Sequence, residues 1–302
     1  AEKNSVEIRT STTITGWNVL TTSTGSVRRL PLSRGERELP SPLGGRVGDE
    51  GKLLSFTSPN GLGEIEAGAV LLATGVRERP RAARMIPGTR PQGIYTTGSL
   101  QRFVYQEHLP VGKRAVIIGA ELVSLSALMT LQHVNVKCVM MTTEESAHQI
   151  EFPYVVMKWA VADVLTRTPI MTNTRITNIF GHKRVEGIEL TQSRLPKSIG
   201  RTPNLDELNQ TSEVFTLECD TVIFTGDWIP ENEMARLGGL EINPLTRGPK
   251  INAEFHSSVK GVFVAGNLLR GVETADHCAL EGIKAGRAIA KYLKKQRVND
   301  EG

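Results

Sequence analysis

The sequence predicts an α/β protein built on a parallel sheet, with one β-α-β crossover unit set between two further buried strands. Three observations predict it. Short apolar runs alternate along the chain with segments of helical period. The run Lys113–Ile118 is followed by Gly119, an amphipathic stretch over Leu122–Gln132 and a second apolar run, Val136–Met141. Two more runs of buried type, Ala69–Ala73 and Gly261–Ala265, each end in small residues.

With 302 residues the chain can form one large domain or two ordinary ones. Its 39% hydrophobic and 23% charged residues are those of a globular protein rather than a disordered one. The net charge of +4 is a small difference between 36 basic and 32 acidic residues, and aromatic residues are only 5%. That combination argues against a nucleic-acid surface. No apolar run approaches the roughly 18 residues needed to cross a bilayer, so no membrane span is expected, and the first residues carry no signal-peptide pattern. Cys138, Cys219 and Cys278 lie far apart and form no CxxC pair. Such sparse cysteines imply reduced thiols in a cytoplasmic protein. His108, His133, His148, His182 and His256 have no ligand spacing, and no metal site is expected.

The elements follow in order. Val6, Ile8 and Thr10 alternate as a strand continued by Thr12, Ile14 and Gly16, and Trp17–Thr22 reads as another. Arg28–Lys52, rich in Pro, Gly, Arg and Glu, reads as an exposed loop. Leu53–Thr57 is a strand, turned by Pro59-Asn60-Gly61, and the buried run ending at Ala73 follows. Arg77–Pro91 is irregular, being broken by three prolines, and Gly98–Gln106 reads as a helix. After the β-α-β unit come a helix over Glu151–Leu165 and a hairpin of Ile176–Phe180 with Val185–Leu190. Ser193–Asn209 is a polar loop, and Phe215–Phe224 reads as one strand. A short helix over Met234–Leu237, the buried strand over Gly261–Ala265 and a long helix over Thr274–Lys294 complete the chain.

The first candidate site is the turn Gly119-Ala120-Glu121-Leu122-Val123-Ser124. It leaves a strand and opens a helix, as a Rossmann-type dinucleotide-binding turn does. Such a turn uses three glycines: one for the tight bend, one for close backbone approach to the pyrophosphate and one for helix-on-strand packing. Only the first is present. Glu121 stands at the position of close approach and Ser124 at the third. A carboxylate about 4 Å from a phosphate, at an effective dielectric near 20, costs on the order of 4 kcal/mol, roughly a thousandfold in affinity. Glu121 could instead serve the helix N-terminus as a built-in anion. Thr142 falls where a ribose-binding acid would lie, with Glu144 two residues on. The turn therefore has the topology of a nicotinamide site without its chemistry, and NAD(P) binding is expected to be weak.

Ala73-Thr74-Gly75, Asp220–Gly226 followed by Pro230 and Asn232, and Ala265-Gly266-Asn267 are each unremarkable alone. In this order, around a Rossmann-like unit, they resemble the pyridine nucleotide–disulfide oxidoreductase family of flavoproteins. In that family an FAD domain is interrupted by a nicotinamide domain. An Ala-Thr-Gly strand end marks the first crossing, and an Ala-Gly-Asp strand end returns the chain to the flavin. Arg77-Glu78-Arg79-Pro80, Ile86-Pro87-Gly88 and Gly93–Gly98 resemble a branch without redox-active cysteines. That branch includes flavoprotein subunits related to amine, opine and proline dehydrogenases, and proteins that accompany glycerol-3-phosphate dehydrogenase-like enzymes.

The resemblance implies a Rossmann-like, parallel-sheet, nicotinamide-type domain over residues 109–226, inserted in an incomplete FAD-binding domain made of residues 1–108 and 227–302. The strands ending at Ala73 and Ala265 should then share one sheet. It also implies FAD contacts from Ala73, Thr74, Gly75, Gly266 and Asn267, and from Ala275, Asp276 and His277 at the start of the last helix. There, free N–H groups would face the flavin, although the same residues also suit an ordinary helix cap. Gly119, Ala120, Glu121 and Leu122 would form the degenerate NAD(P) turn. Asn267 departs from the family aspartate but can still accept a hydrogen bond. No FAD pyrophosphate turn precedes Val6, so roughly 80–100 residues of a whole flavoprotein domain are expected to be missing. The chain alone is therefore expected to bind FAD poorly or not at all. Arg77, Arg79, Arg81, Arg84 and Arg90 could hold an acidic substrate, an FAD phosphate or a partner, or could form a solvated loop.

No catalytic side chain stands out, so the chemistry would rest with the cofactor. Three functions follow. The first is an FAD-dependent oxidoreductase passing electrons to or from a small-molecule substrate or a partner redox subunit. The second is an NAD(P)H-dependent flavin reductase, and the third a non-catalytic interaction subunit. Oligomerisation is left open.

Overall fold

The computed structural model describes residues 12–19, 52–193 and 212–300. The chain divides into two compact bodies, Glu78–Trp228 and Ala1–Arg77 with Ile229–Gly302. The strands that carry the chain across, β5 (Val76–Glu78) and β14 (Trp228–Pro230), pair with each other.

The body over 78–228 is built on a five-stranded sheet. Its members are β6 (Ile94–Thr96), β7 (Arg114–Ile118), β8 (Lys137–Thr142), β9 (Ile170–Met171) and β13 (Thr221–Phe224), ordered β6-β13-β7-β8-β9. Every neighbouring pair is parallel. A parallel sheet needs both faces covered, and the alternation along β7 shows how. Ala115 and Ile117 face one core with Leu125, Leu128 and Leu131 of helix α2 (Leu122–His133). Val116 and Ile118 face a second core with Ile176, Ile179, Ile188 and Leu190. That second cover is an antiparallel meander of β10 (Thr174–Phe180), β11 (Gly187–Ser193) and β12 (Ser212–Glu218). Leu125, Leu128 and Leu131 are all but fully buried, and each contributes about 1.5–3 kcal/mol of burial energy.

The run Phe215–Phe224 is not one strand. It splits into β12 and β13, which belong to different sheets, and Asp220 marks the break. Its carboxylate accepts from the Lys113 and Arg114 N–H groups at 2.9–3.0 Å and from the Thr221 hydroxyl at 2.9 Å. Burial alone would raise the Asp220 pKa, but these donors and Arg184 hold it below its ordinary value. The folded value therefore lies under the unfolded one, near 3.9. The stabilisation is complete above that pH and is lost as pH falls through the folded value. Urea unfolding at pH 7 and pH 3 should show this loss, and Asp220→Asn should shrink it. An unchanged pH dependence in the variant would refute the role.

Other expectations were also redrawn by packing. The expected helix over Gly98–Gln106 is α1 (Thr97–Gln101), which then widens so that the Glu107 N–H reaches the Arg102 carbonyl. The helix expected over Glu151–Leu165 is regular only as α3 (Val155–Lys158). It too widens, with the Thr166 N–H on the Val161 carbonyl.

In the other body, β1 (Thr13–Val19), β2 (Lys52–Ser58) and β3 (Gly61–Ala67) form an antiparallel meander. β1 is a single strand where the sequence predicts two, and β3 answers to no predicted element because its Gly-Leu-Gly-Glu pattern is mostly exposed. Val6–Thr10, residues 20–22, most of the Arg28–Lys52 segment and nearly all of Ser193–Asn209 lie outside the described residues. Lys52, placed in that loop, instead opens β2 and is buried. As expected, β4 (Val70–Leu72) and β15 (Val262–Val264) pair in parallel, Leu72 beside Val264. Their inward residues pack with Ala235 of α4 (Glu233–Leu237) and with Leu240, Leu268 and Leu269. The last helix, α5, runs from Ala275 to Asp300.

Candidate functional site

Two strand edges matter, one in each body. In the first, the parallel register of β4 and β15 brings the chain ends after them side by side, and the Ala265 N–H donates to the Leu72 carbonyl at 3.2 Å. Ala73-Thr74-Gly75 and Gly266-Asn267 therefore meet at one carboxyl edge. Gly75 and Gly266 have left-handed φ of 74° and 75°, with open space where a Cβ would stand. The Thr74 hydroxyl donates to the Glu231 carbonyl at 2.7 Å. Asn267 ties the start of α5 to this edge: its Oδ1 accepts from the Glu273 N–H at 2.8 Å and from Cys278 Sγ at 3.3 Å. Ala275, Asp276 and His277 follow in exposed positions, and His277 Nδ1 lies 3.1 Å from Glu273 Oε2. The fold thus brings Ala73–Gly75 beside Gly266-Asn267, and Asn267 in turn holds the segment that leads into Ala275, Asp276 and His277.

The second edge is the degenerate turn. Gly119, at φ 145°, follows β7, and a Cβ there would overlap the Thr225 hydroxyl at the end of β13. Ala120 is fully buried. Glu121 is the N-cap of α2 and Leu122 its first residue. Glu121 N–H donates to Ser124 Oγ at 3.2 Å. The Ser124 N–H donates to the Glu121 carbonyl at 3.0 Å and faces the Glu121 carboxylate, the reciprocal arrangement of a capping box. Ser124 is fully buried and bonds Thr225 at 2.8 Å. The Glu121 side chain lies over the glycines. Oε2 is 2.7 Å from where a Gly119 Cβ would be, and the carboxyl group is 3.2–3.3 Å from the same point on Gly226. Oε1 is buried without a hydrogen-bond partner among the described residues. The carboxylate therefore fills the crevice between β7 and β13, where the strand order reverses and α/β sheets bind ligands. These residues do not fit a pyrophosphate in the turn.

The arginine cluster has mostly structural duties. Arg77 pairs with Glu231 and Glu233 at 2.7 and 2.9 Å, and Arg79 with Asp227 at 2.7 Å. Glu78 between them accepts the Thr97 and Gly98 N–H groups at 2.8 Å, capping α1. Arg81 is neither a solvated loop residue nor a ligand donor. It is buried and donates to the carbonyls of Ile86, Pro87 and Thr89. Arg84 donates to the carbonyls of Arg79, Thr225 and Gly226 at 2.8–2.9 Å and stacks on Phe224. Burial lowers its pKa, while Asp227 and Glu121 act to raise it.

Beside these residues, within the 78–228 body, is a cleft of about 430 Å³. Arg79, Arg84, Glu144, Arg175 and Asp227 line it, with Ile118 and Ile176 among its apolar walls. Arg175 is not marked in the sequence, because nothing in its neighbourhood has a recognisable spacing. Thr142, set where a ribose acid would lie, is buried, whereas Glu144 is exposed to the cleft.

The cysteines are free thiols. Burial, the largest cause, pushes Cys138 and Cys219 up to about 12, so neither forms the thiolate that disulfide exchange requires. Among the described residues no cluster of potential metal ligands occurs, and no helix is long and apolar enough to cross a membrane.

A parallel sheet with a crossover helix, inserted between two strands that pair in a separate body, defines a two-body dinucleotide-binding α/β architecture. Three solved structures share this fold. Thioredoxin reductase from T. acidophilum matches with a TM-score of 0.58 at 19% identity, over 81% of this chain and 70% of that one. The Lactococcus lactis thioredoxin reductase gives 0.60 at 11% identity, over 80% and 71%. Bacillithiol disulfide reductase from Bacillus cereus gives 0.57 at 16% identity, over 82% and 68%. Residues 47–282 match the model of the pyridine nucleotide–disulphide oxidoreductases, and the chain belongs to that family of FAD-dependent oxidoreductases.

Proposed function

We propose that this chain is part of an FAD-dependent oxidoreductase that passes electrons between flavin and an organic substrate or a partner redox subunit. Neither a cysteine pair nor the usual nicotinamide turn takes part. Residues 1–77 and 229–302 would serve the flavin, and the body over 78–228, which begins earlier than the expected residues 109–226, would be a nicotinamide-type domain put to another use. The observation that carries the reading is the convergence of Ala73–Gly75, Gly266-Asn267 and the start of α5 on one carboxyl edge. Two left-handed glycines leave that backbone open to close approach, which fits the edge of a flavin. FAD supplies the redox chemistry when bound. The chain's own part is to orient it: Asn267 holds the 267–278 loop, and Ala275, Asp276 and His277 present the positive end of α5, which favours negative charge on a reduced cofactor.

The test is the visible spectrum of the protein purified from its native source, followed by anaerobic mixing. Flavin absorbance that NADH or NADPH bleaches only slowly, and that an organic reductant or redox partner bleaches rapidly, is the expected result. Rapid bleaching by the nicotinamide would favour a flavin reductase, and absence of flavin an interaction subunit.

A further inference from the structure

The segment from Glu151 to Arg167, in the 78–228 body, is apolar on both of its faces. The inner face is satisfied: Val161 and Ala162 are buried in the first core, and Met157 packs against it. The outer face is not. Among the described residues four Phe, Tyr or Trp side chains are exposed, and three of them, Phe152, Tyr154 and Trp159, stand in this one stretch. Phe152 is 83% exposed and Trp159 61%, with Val156, Val164 and Leu165 exposed beside them. Phe152, Val156 and Trp159 recur at i, i+4 and i+7. They therefore line one side of α3 and of the wider helix that continues it to Leu165. A helix that is apolar all round belongs in an interior. Single exposed apolar residues are ordinary, but a contiguous patch on the order of several hundred Å² marks a contact surface.

The charges of the segment indicate what covers it. Lys158 and Asp163 pair with each other at 2.9 Å. Glu151 and Arg167 bracket the patch. Both are exposed, and neither forms an ion pair among the described residues. They lie at equal distances along the chain on either side of Trp159. We propose that this face is the contact between two copies of the chain, related by a two-fold axis at Trp159. A two-fold contact needs a self-complementary surface, and this one has it. Antiparallel pairing of the two helices sets Glu151 of each copy opposite Arg167 of the other. It also turns Phe152 toward Leu165 and leaves the two Trp159 rings at the centre, where an aromatic anchor contributes most. The aromatic side chains, of about 150–250 Å² each, and the three aliphatic ones bring the patch near the roughly 800 Å² per partner of a stable interface. A lipid surface is less well matched, because a face that lies on a membrane carries an excess of Lys and Arg around its apolar side. Here the two acids cancel the two bases. The end charges set the register more than the affinity.

The experiment is sedimentation equilibrium of the full chain over a range of concentrations. It is done on the parent, on Trp159→Ser and Val156→Ser, and on Glu151→Arg, Arg167→Glu and the double reversal. All four positions are exposed, and an unchanged circular dichroism spectrum shows that the variants are folded. The parent is expected to sediment as a dimer. Trp159→Ser should weaken it about thirty- to a thousandfold, and Val156→Ser should weaken it less. Each single charge reversal should weaken it about two- to thirtyfold, and the double reversal should restore it. A parent that stays monomeric at concentrations on the order of 100 µM, above the Kd of a standard-size interface, would overturn the proposal. So would a dimer indifferent to Trp159 and Val156, which would place the contact elsewhere. A double reversal no better than the singles would overturn the two-fold pairing. A monomer that binds phosphatidylcholine–phosphatidylglycerol vesicles through Trp159 would give the face to a lipid surface instead. None of these readouts depends on flavin, so failure here is distinct from failure of the oxidoreductase reading.

Discussion

Replacing Glu121 with glycine is expected to raise affinity for NADH or NADPH by about ten- to a thousandfold, equivalent to roughly 1.4–4 kcal/mol of relieved repulsion. The carboxylate lies across Gly119 and Gly226 in the crevice between β7 and β13, and a pyrophosphate there would meet it at short range. Glycine would remove the charge and return the first-turn N–H groups of α2 to the ligand. The buried Oε1, which has no hydrogen-bond partner among the described residues, would go with it, so the native state also loses a desolvated acceptor. Against this stands the changed N-cap, which for glycine costs only about a few tenths of a kcal/mol of helix stability. Calorimetry on parent and variant decides the matter. Tight binding by the parent, or no gain in the variant, would mean that Glu121 does not guard the turn.

Phe263→Ala is expected to destabilise the body that carries β15 by about 3–5 kcal/mol, a large part of the 5–15 kcal/mol typical of a domain. Phe263 is fully buried, with its ring centroid 4.1 Å from His256 and 5.6 Å from Tyr292 of α5. Its loss leaves a cavity between β15 and that helix, while Val262 and Val264 keep their contacts on the opposite face. Urea unfolding should register the change, and Phe263→Leu should restore much of it. Amide exchange should rise in β4 and β15 and stay unaltered in β7 and β8. Equal loss of protection in both places would show that the two bodies unfold as one unit.

The parallel-sheet class was legible because it depends on local pattern. Lys113–Ile118 is apolar throughout since both faces of β7 are covered, and Gly119 must bend where the strand meets its helix. The strand ends at Ala73 and Ala265, unremarkable alone, could be recognised only through their order around the β-α-β unit, which resembles that of the family. Long-range competition for hydrogen bonds left no such mark. The break at Asp220 follows from N–H groups on Lys113 and Arg114, more than a hundred residues away. Strand β3 went unnoticed because its exposed Gly-Leu-Gly-Glu lacks an apolar face and takes its order from β2.

By itself the sequence determined the class of fold, the order of the crossings, the poverty of the nicotinamide turn and the absence of a cysteine pair. Each is written in residue type and spacing along a short stretch. Only the tertiary structure decided where side chains go. Glu121 turns back over Gly119 and Gly226 because β13 arrives beside β7 from far along the chain. Arg81 and Arg84 were drawn from an apparent anion-binding cluster into holding carbonyl groups, because buried carbonyls must find donors. Arg175, with no motif around it, became a cleft residue only when the meander folded onto the sheet. Charge is visible in a sequence, but whether a charge is free or already engaged depends on which distant groups the fold brings within reach.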